Sequence, residues 1–152
     1  MDEAATFYED EQGNRVMLFS RRQANGTGGN IFVSIEGAPA MPIGGGPDSS
    51  ASDNRPSVTH DGLTLFFDST RGGGLGGPDI WVTSRESTSD PFGAASNLQA
   101  LNSGGFDARP SVSWDGTELF FSSGRAGNES PAPDIWRASR KKAKGGPKTV
   151  TM

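Results

Sequence analysis

Residues 55–85, RPSVTHDGLTLFFDSTRGGGLGGPDIWVTSR, decide the fold, because the chain spells them twice. Arg55-Pro56-Ser57-Val58 returns as Arg109-Pro110-Ser111-Val112, Asp61-Gly62 as Asp115-Gly116, and Leu65-Phe66-Phe67 as Leu119-Phe120-Phe121, all at a spacing of 54. Ser69 and Arg71 are echoed by Ser123 and Arg125. Pro78-Asp79-Ile80-Trp81 returns as Pro133-Asp134-Ile135-Trp136 at a spacing of 55, so one residue is inserted in the intervening turn. A weaker copy lies 49 residues upstream. Gly13 falls on Gly62, Val16-Met17-Leu18 on Leu65-Phe66-Phe67, Arg22 on Arg71 and, across one gap, Asn30-Ile31-Phe32-Val33 on Asp79-Ile80-Trp81-Val82.

Three units of about 50 residues match the period of four-stranded propeller blades and lie outside that of the helical solenoids. Each unit reads as strands from its own chemistry. Asp61-Gly62 and Asp115-Gly116 are hairpin turns, since Gly accepts a positive φ and Asp tolerates one. Leu63–Phe67 and Thr117–Phe121 follow as strands. Gly-rich loops then lead into Ile80–Ser84 and Ile135–Ser139, and Phe92–Leu101 is expected to supply an outer fourth strand. Leu65-Phe66-Phe67 does not alternate, which suits a sheet buried on both faces. The expected fold is all-β: about three four-stranded antiparallel blades of an incomplete β-propeller. The division is blade 1 over 1–48, blade 2 over 49–102, blade 3 over 103–140 lacking an outer strand, and a basic, disordered tail over 141–152.

Composition agrees. Gly and Pro make up 21% of the 152 residues, against roughly 12% in ordinary proteins, beside nine Phe and three Trp. A disordered chain lacks such aromatics, and a helical bundle does not tolerate so much Gly. There is no Cys, which removes disulfides and thiolate chemistry. No apolar run approaches the ~20 residues of a membrane helix, and the acidic Met1-Asp2-Glu3 start is not a signal peptide. The net charge of −4 divides into −10 over residues 1–136 and +6 over 137–152. An acidic body argues against nucleic acid as a partner.

The unit resembles the WD-repeat-like β-propeller repeat of the TolB-type propeller domain. The likeness rests on the Pro-Ser-x-x-x-Asp-Gly-x-x-x-Phe-Phe core, the Ser-x-Arg-Gly-Gly turn and the closing Asp-Ile-Trp, and covers about residues 12–137. It implies a periplasmic or extracellular protein and no single function, since such propellers serve many roles. Three blades do not close a ring. The chain is therefore expected to be a fragment of a larger propeller or to assemble, two copies supplying six blades.

Five charged positions recur in the two strong copies: Asp53 and Asp107, Arg55 and Arg109, Asp61 and Asp115, Arg71 and Arg125, Asp79 and Asp134. They suit either a ring of charge around a channel or Asp–Arg pairs that pin each loop to its blade, and recurrence favours the pins. Trp114 has no aromatic counterpart and sits beside a turn, as a binding aromatic would. His60, the lone histidine, occupies the same repeat position one copy earlier. The candidate binding residues are Trp114, His60, Asp79, Asp134, Arg71 and Arg125. No catalytic or metal residue is named, because no second His or Cys stands by His60. Asp48-Ser49-Ser50-x-Ser52-Asp53 has oxygen ligands suited to calcium, without the acid spacing of an EF-hand. Ser111-Trp114-Asp115-Gly116-Thr117 is similar to the Asp-box of sialidase propellers, one residue short. The expected function is a non-enzymatic binding or scaffold module contacting protein or polysaccharide through its blade loops. The alternative is a propeller-type glycan hydrolase, which needs two carboxylates at a defined separation.

Overall fold

The computed structural model describes residues 1–24, 28–129 and 131–141 and is all-β, with no helix among them. Three antiparallel sheets follow one another along the chain. The first, β1-β2-β3-β4, is Asp2–Glu9, Arg15–Arg22, Gly29–Ile35 and Met41–Pro42. The second, β5-β6-β7-β8, is Asp53–Val58, Thr64–Ser69, Asp79–Ser84 and Ser96–Asn97. The third, β9-β10-β11, is Asp107–Val112, Glu118–Ser123 and Asp134–Ser139. Each is a meander in which chain order equals spatial order, the plan of a propeller blade. The outer strand expected over Phe92–Leu101 shrinks to Ser96–Asn97, with Leu98 and Asn102 turning back onto Ile80. The tail, apart from Lys141, lies outside the described residues.

The second sheet is filled on both sides, as its unbroken apolar run requires. Leu65, Phe67 and Trp81 pack with Val16, Leu18 and Ile31 of the first sheet. Phe66 and Ile80, on its other face, pack with Leu119 and Phe121 of the third. Gly62 in the β5–β6 turn, at φ 72°, lies so close to Tyr8 that a Cβ there would sit 2.4 Å from the ring. The same turn therefore requires Gly for both its torsion and its neighbour.

The innermost strands β1, β5 and β9 share a device that their sequences conceal. Each ladder breaks once, and at each break stands a non-glycine residue with positive φ: Ala4 at 56°, Arg55 at 50° and Arg109 at 59°. These are β-bulges, which bend a strand and re-aim its polar groups. The left-handed residue turns its N–H out of its own sheet and into the preceding one. Arg55 N donates to Ser20 Oγ at 2.6 Å, and Arg109 N donates to Asp68 Oδ2 at 2.9 Å.

These bonds also correct the expected alignment of the first copy. Ser20 does the work of Asp68, a spacing of 48, and Phe19 pairs with Phe32 as Phe67 pairs with Trp81. Met17-Leu18-Phe19 thus matches Leu65-Phe66-Phe67, one residue later than the spacing of 49 suggests. Phe32 keeps its match to Trp81, and Arg21, not Arg22, takes the part of Arg71. A one-residue slip matters because it exchanges the two faces of a strand.

Candidate functional site

Arg71 and Arg125 are built into the blades. Arg71 lies over the rings of Phe67 and Trp81, at 5.0 and 5.2 Å, and pairs with the fully buried Asp53 at 2.7 Å. Its Nε donates to Ser69 Oγ at 3.0 Å, and its terminal N–H groups donate also to the carbonyls of Gly46 and Pro47, both at 2.8 Å, fastening the link that arrives from the first sheet. Arg125 lies over Phe121 and Trp136, pairs with buried Asp107 at 3.0 Å and donates to the Leu101 carbonyl. The first sheet has the same corner in Arg21, over Phe19 and Phe32 and paired with Asp2 at 2.8 Å.

Asp79 is buried and ties a loop. Its Oδ2 accepts from Leu75 N at 2.5 Å and Asn97 Nδ2 at 2.9 Å, while Oδ1, like the Trp81 Nε1, is buried with no hydrogen bond. Asp134 accepts from Glu129 N at 2.7 Å. The Asp53 carboxylate holds Ser49 through its N–H and hydroxyl, at 2.8 and 2.7 Å, and so closes the Asp48–Asp53 loop on itself. No group of three or more His, Asp or Glu is placed to hold a metal among the described residues.

Trp114 and His60 meet elsewhere. Both follow an innermost strand, at equivalent positions of neighbouring blades, and their rings stack at 3.6 Å between centroids with 26° between planes. Trp114 remains 75% exposed. The pair forms one end of a groove of about 520 Å³ that runs across β1, β5 and β9. Its walls include Glu3, Ala4, Arg55, Ser57, Arg109 and Ser111, so all three bulges face it. Arg109 reaches over the Phe106 ring at 5.4 Å, and Arg55 donates to Asp68 at 3.0 Å.

Two buried carboxylates, Asp68 and Asp107, differ in charge preference. Burial pushes the Asp68 carboxyl above the ordinary aspartate value, opposed by the Arg109 N–H and the Arg55 charge. Burial also acts on Asp107, but hydrogen bonds from Ser103, Ser123 and Arg125 outweigh it and hold that carboxyl below the ordinary value.

The groove thus gathers Trp114 and His60 but leaves the other four candidates in the blade interiors and outer loops. Arg55 and Arg109 recur in sequence as charges but were not among the candidate binding residues. The signal that distinguishes them is their torsion, which Arg-Pro conceals. The stacking of His60 on Trp114 has a readable sign: equivalent positions of adjacent blades are neighbours in space.

Successive meander sheets, innermost strands on a common groove and matched contacts between sheets define a run of β-propeller blades. Among solved structures the chain is similar to TolB from Acinetobacter baumannii, at 19% identity with a TM-score of 0.57. It is similar also to a putative TolB from Agrobacterium tumefaciens, at 18% identity with a TM-score of 0.56. The matches cover 89% and 86% of this chain but only 29% and 40% of those proteins. No family model matches the sequence, and no curated protein matches it significantly. The shared property is the fold.

Proposed function

We propose that the chain is a non-enzymatic binding module, periplasmic or extracellular, that receives a segment of protein or polysaccharide on its groove. The observation that carries this reading is the stacked Trp114–His60 pair at the end of a groove walled by the innermost strands of three blades. An exposed indole braced by a second ring offers a flat apolar surface already fixed in place, which lowers the ordering cost of binding. The bulges add main-chain polarity and two guanidinium stems beside it. The buried carboxylates support binding over hydrolysis. Asp53, Asp68 and Asp107 are engaged by Arg and Ser partners, which leaves them poorly placed to transfer protons to a sugar.

Trp114 reports on its own occupancy, because Trp81 is buried and Trp136 is half-buried. Titrating oligosaccharides and peptides separately should quench or shift the exposed tryptophan emission for one class of ligand. Trp114→Ala should weaken that ligand at least about tenfold, the effect of losing a central aromatic contact. No response to either class, from a folded protein, would defeat the reading.

A further inference from the structure

The charges of the groove are not balanced, and the imbalance traces to one difference between the two strong repeats. Glu3, the one acid among the described walls, pairs with Arg22 at 3.1 Å. Arg55 commits its guanidinium to Asp68 of its own blade, reaching the two carboxylate oxygens at 3.0 and 3.3 Å. Arg109 repeats Arg55 in sequence, bulge and left-handed torsion, but Ser122 stands where Asp68 stood, at the same spacing of 54. The third blade keeps the arginine and lacks its carboxylate. The Arg109 side chain accordingly donates no hydrogen bond among the described residues and is exposed, 5.4 Å over the Phe106 ring. This contrast is set inside each blade, between strands that pair with each other, and does not depend on what packs beyond them.

A guanidinium held over a ring keeps N–H groups along its edge for an acceptor, and two of them in parallel match a carboxylate. Trp114 follows Arg109 by five residues, a span of about 16 Å or less for extended chain, and its indole is 75% exposed. The main chain argues against a peptide between them. A peptide added along an innermost strand needs free N–H groups on that strand. Those of Arg55, Val58, Arg109 and Val112 are already taken by Ser20, Thr6, Asp68 and Ser57 of the preceding blade. What remains is a flat ring and an unpaired cation. A sugar suits the ring, because its C–H face is apolar while its rim is polar. A carboxylate on the sugar suits the cation.

We propose that the groove takes an acidic polysaccharide of the uronate type, with one sugar stacked on Trp114 and the carboxylate of another held by Arg109. This rests on the reading of the groove as a binding site and names the ligand class of that site.

The test titrates tetragalacturonate, its fully methyl-esterified form and tetraglutamate into the full chain by calorimetry, with tryptophan emission followed in parallel. The acid should bind at least about tenfold tighter than the ester, which has the same rings without the charge. That advantage should shrink as NaCl is raised. Arg109→Gln should bring the acid down to the affinity of the ester. Ser122→Asp gives Arg109 the partner that Arg55 has, and should do the same while the emission response to the ester survives. Circular dichroism checks that both variants keep their strands. Ser122 is buried, so Arg109→Gln, at an exposed side chain, decides the matter if Ser122→Asp does not fold. An ester bound as tightly as the acid, or an acid preference that survives Arg109→Gln, would overturn the proposal and leave the groove standing. Tetraglutamate bound more tightly than tetragalacturonate would overturn it in favour of an acidic peptide. Silence toward all three probes would overturn it too, and the groove reading falls with it only if neutral oligosaccharides and other peptides are silent as well.

Discussion

Ile80 and Ile135 occupy the same place in the repeat, and the fold treats them oppositely. Ile80 lies under the third blade with no exposed surface, whereas Ile135 is 70% exposed because none of the described residues packs a further sheet on it. Phe66 and Phe120 repeat the contrast. A propeller strand therefore has no burial of its own. It is buried by its neighbour, and identical residues differ in energy only through what stacks on them.

Substituting aspartate at the two positions breaks this comparison most forcefully. Ile80→Asp places an unpaired charge between two sheets and should cost more than about 4 kcal/mol, enough to abolish folding. Ile135→Asp should change stability by less than about 0.5 kcal/mol, as surface substitutions do. Urea unfolding reads both. Equal costs would mean that the third blade's outer face is covered within one chain.

A smaller difference separates the arginine corners of the first and second blades. Arg71 serves a carboxylate that water does not reach, while Arg21 and Asp2 are each more than 40% exposed. Arg71→Met strands Asp53 without its countercharge and should cost about 3–5 kcal/mol. Arg21→Met breaks the same drawn contact but leaves Asp2 in water, and should cost about 1 kcal/mol or less. Urea midpoints of the two variants decide it. A large loss from Arg21→Met would show that the ring stack with Phe19 and Phe32, rather than the ion pair, holds the corner.

The residues that repeat most visibly were legible, and those that make the site were not. Phe67, Trp81 and Arg71 reveal blades because an aromatic core and its pin must recur with the fold. Asp53-Asn54-Arg55-Pro56 conceals a strand, because Pro and a left-handed Arg are poor strand signals and the bulge that admits them is a tertiary bond to Ser20. The first copy's slip arises likewise. Val16-Met17-Leu18-Phe19 is apolar throughout, so spacing alone does not say which residue faces which blade. His60 and Trp114 share one repeat position, which makes them neighbours on adjacent blades, but their face-to-face stack depends on the angle between those blades.

Acid separates two buried carboxylates, Asp68 and Asp107. Asp107 is held below the ordinary aspartate value of 3.8, so the folded state prefers its charged form. The stability this lends is present above that value and is lost as pH falls through the lower, folded one. Asp68 is raised, so the folded state binds its proton more readily than the unfolded chain does. Stability from Asp68 is therefore gained as pH falls from its raised value toward 3.8, the opposite sign. Neither slope can exceed about 1.4 kcal/mol per pH unit, the ceiling for one proton. In urea titrations from neutral pH to pH 3, Asp107→Asn should flatten the acid loss, and Asp68→Asn should steepen the decline above it. Tilts in the same direction would mean that the Arg55 and Arg109 contacts, not burial, govern Asp68. The second blade would then hold Asp68 as the third holds Asp107.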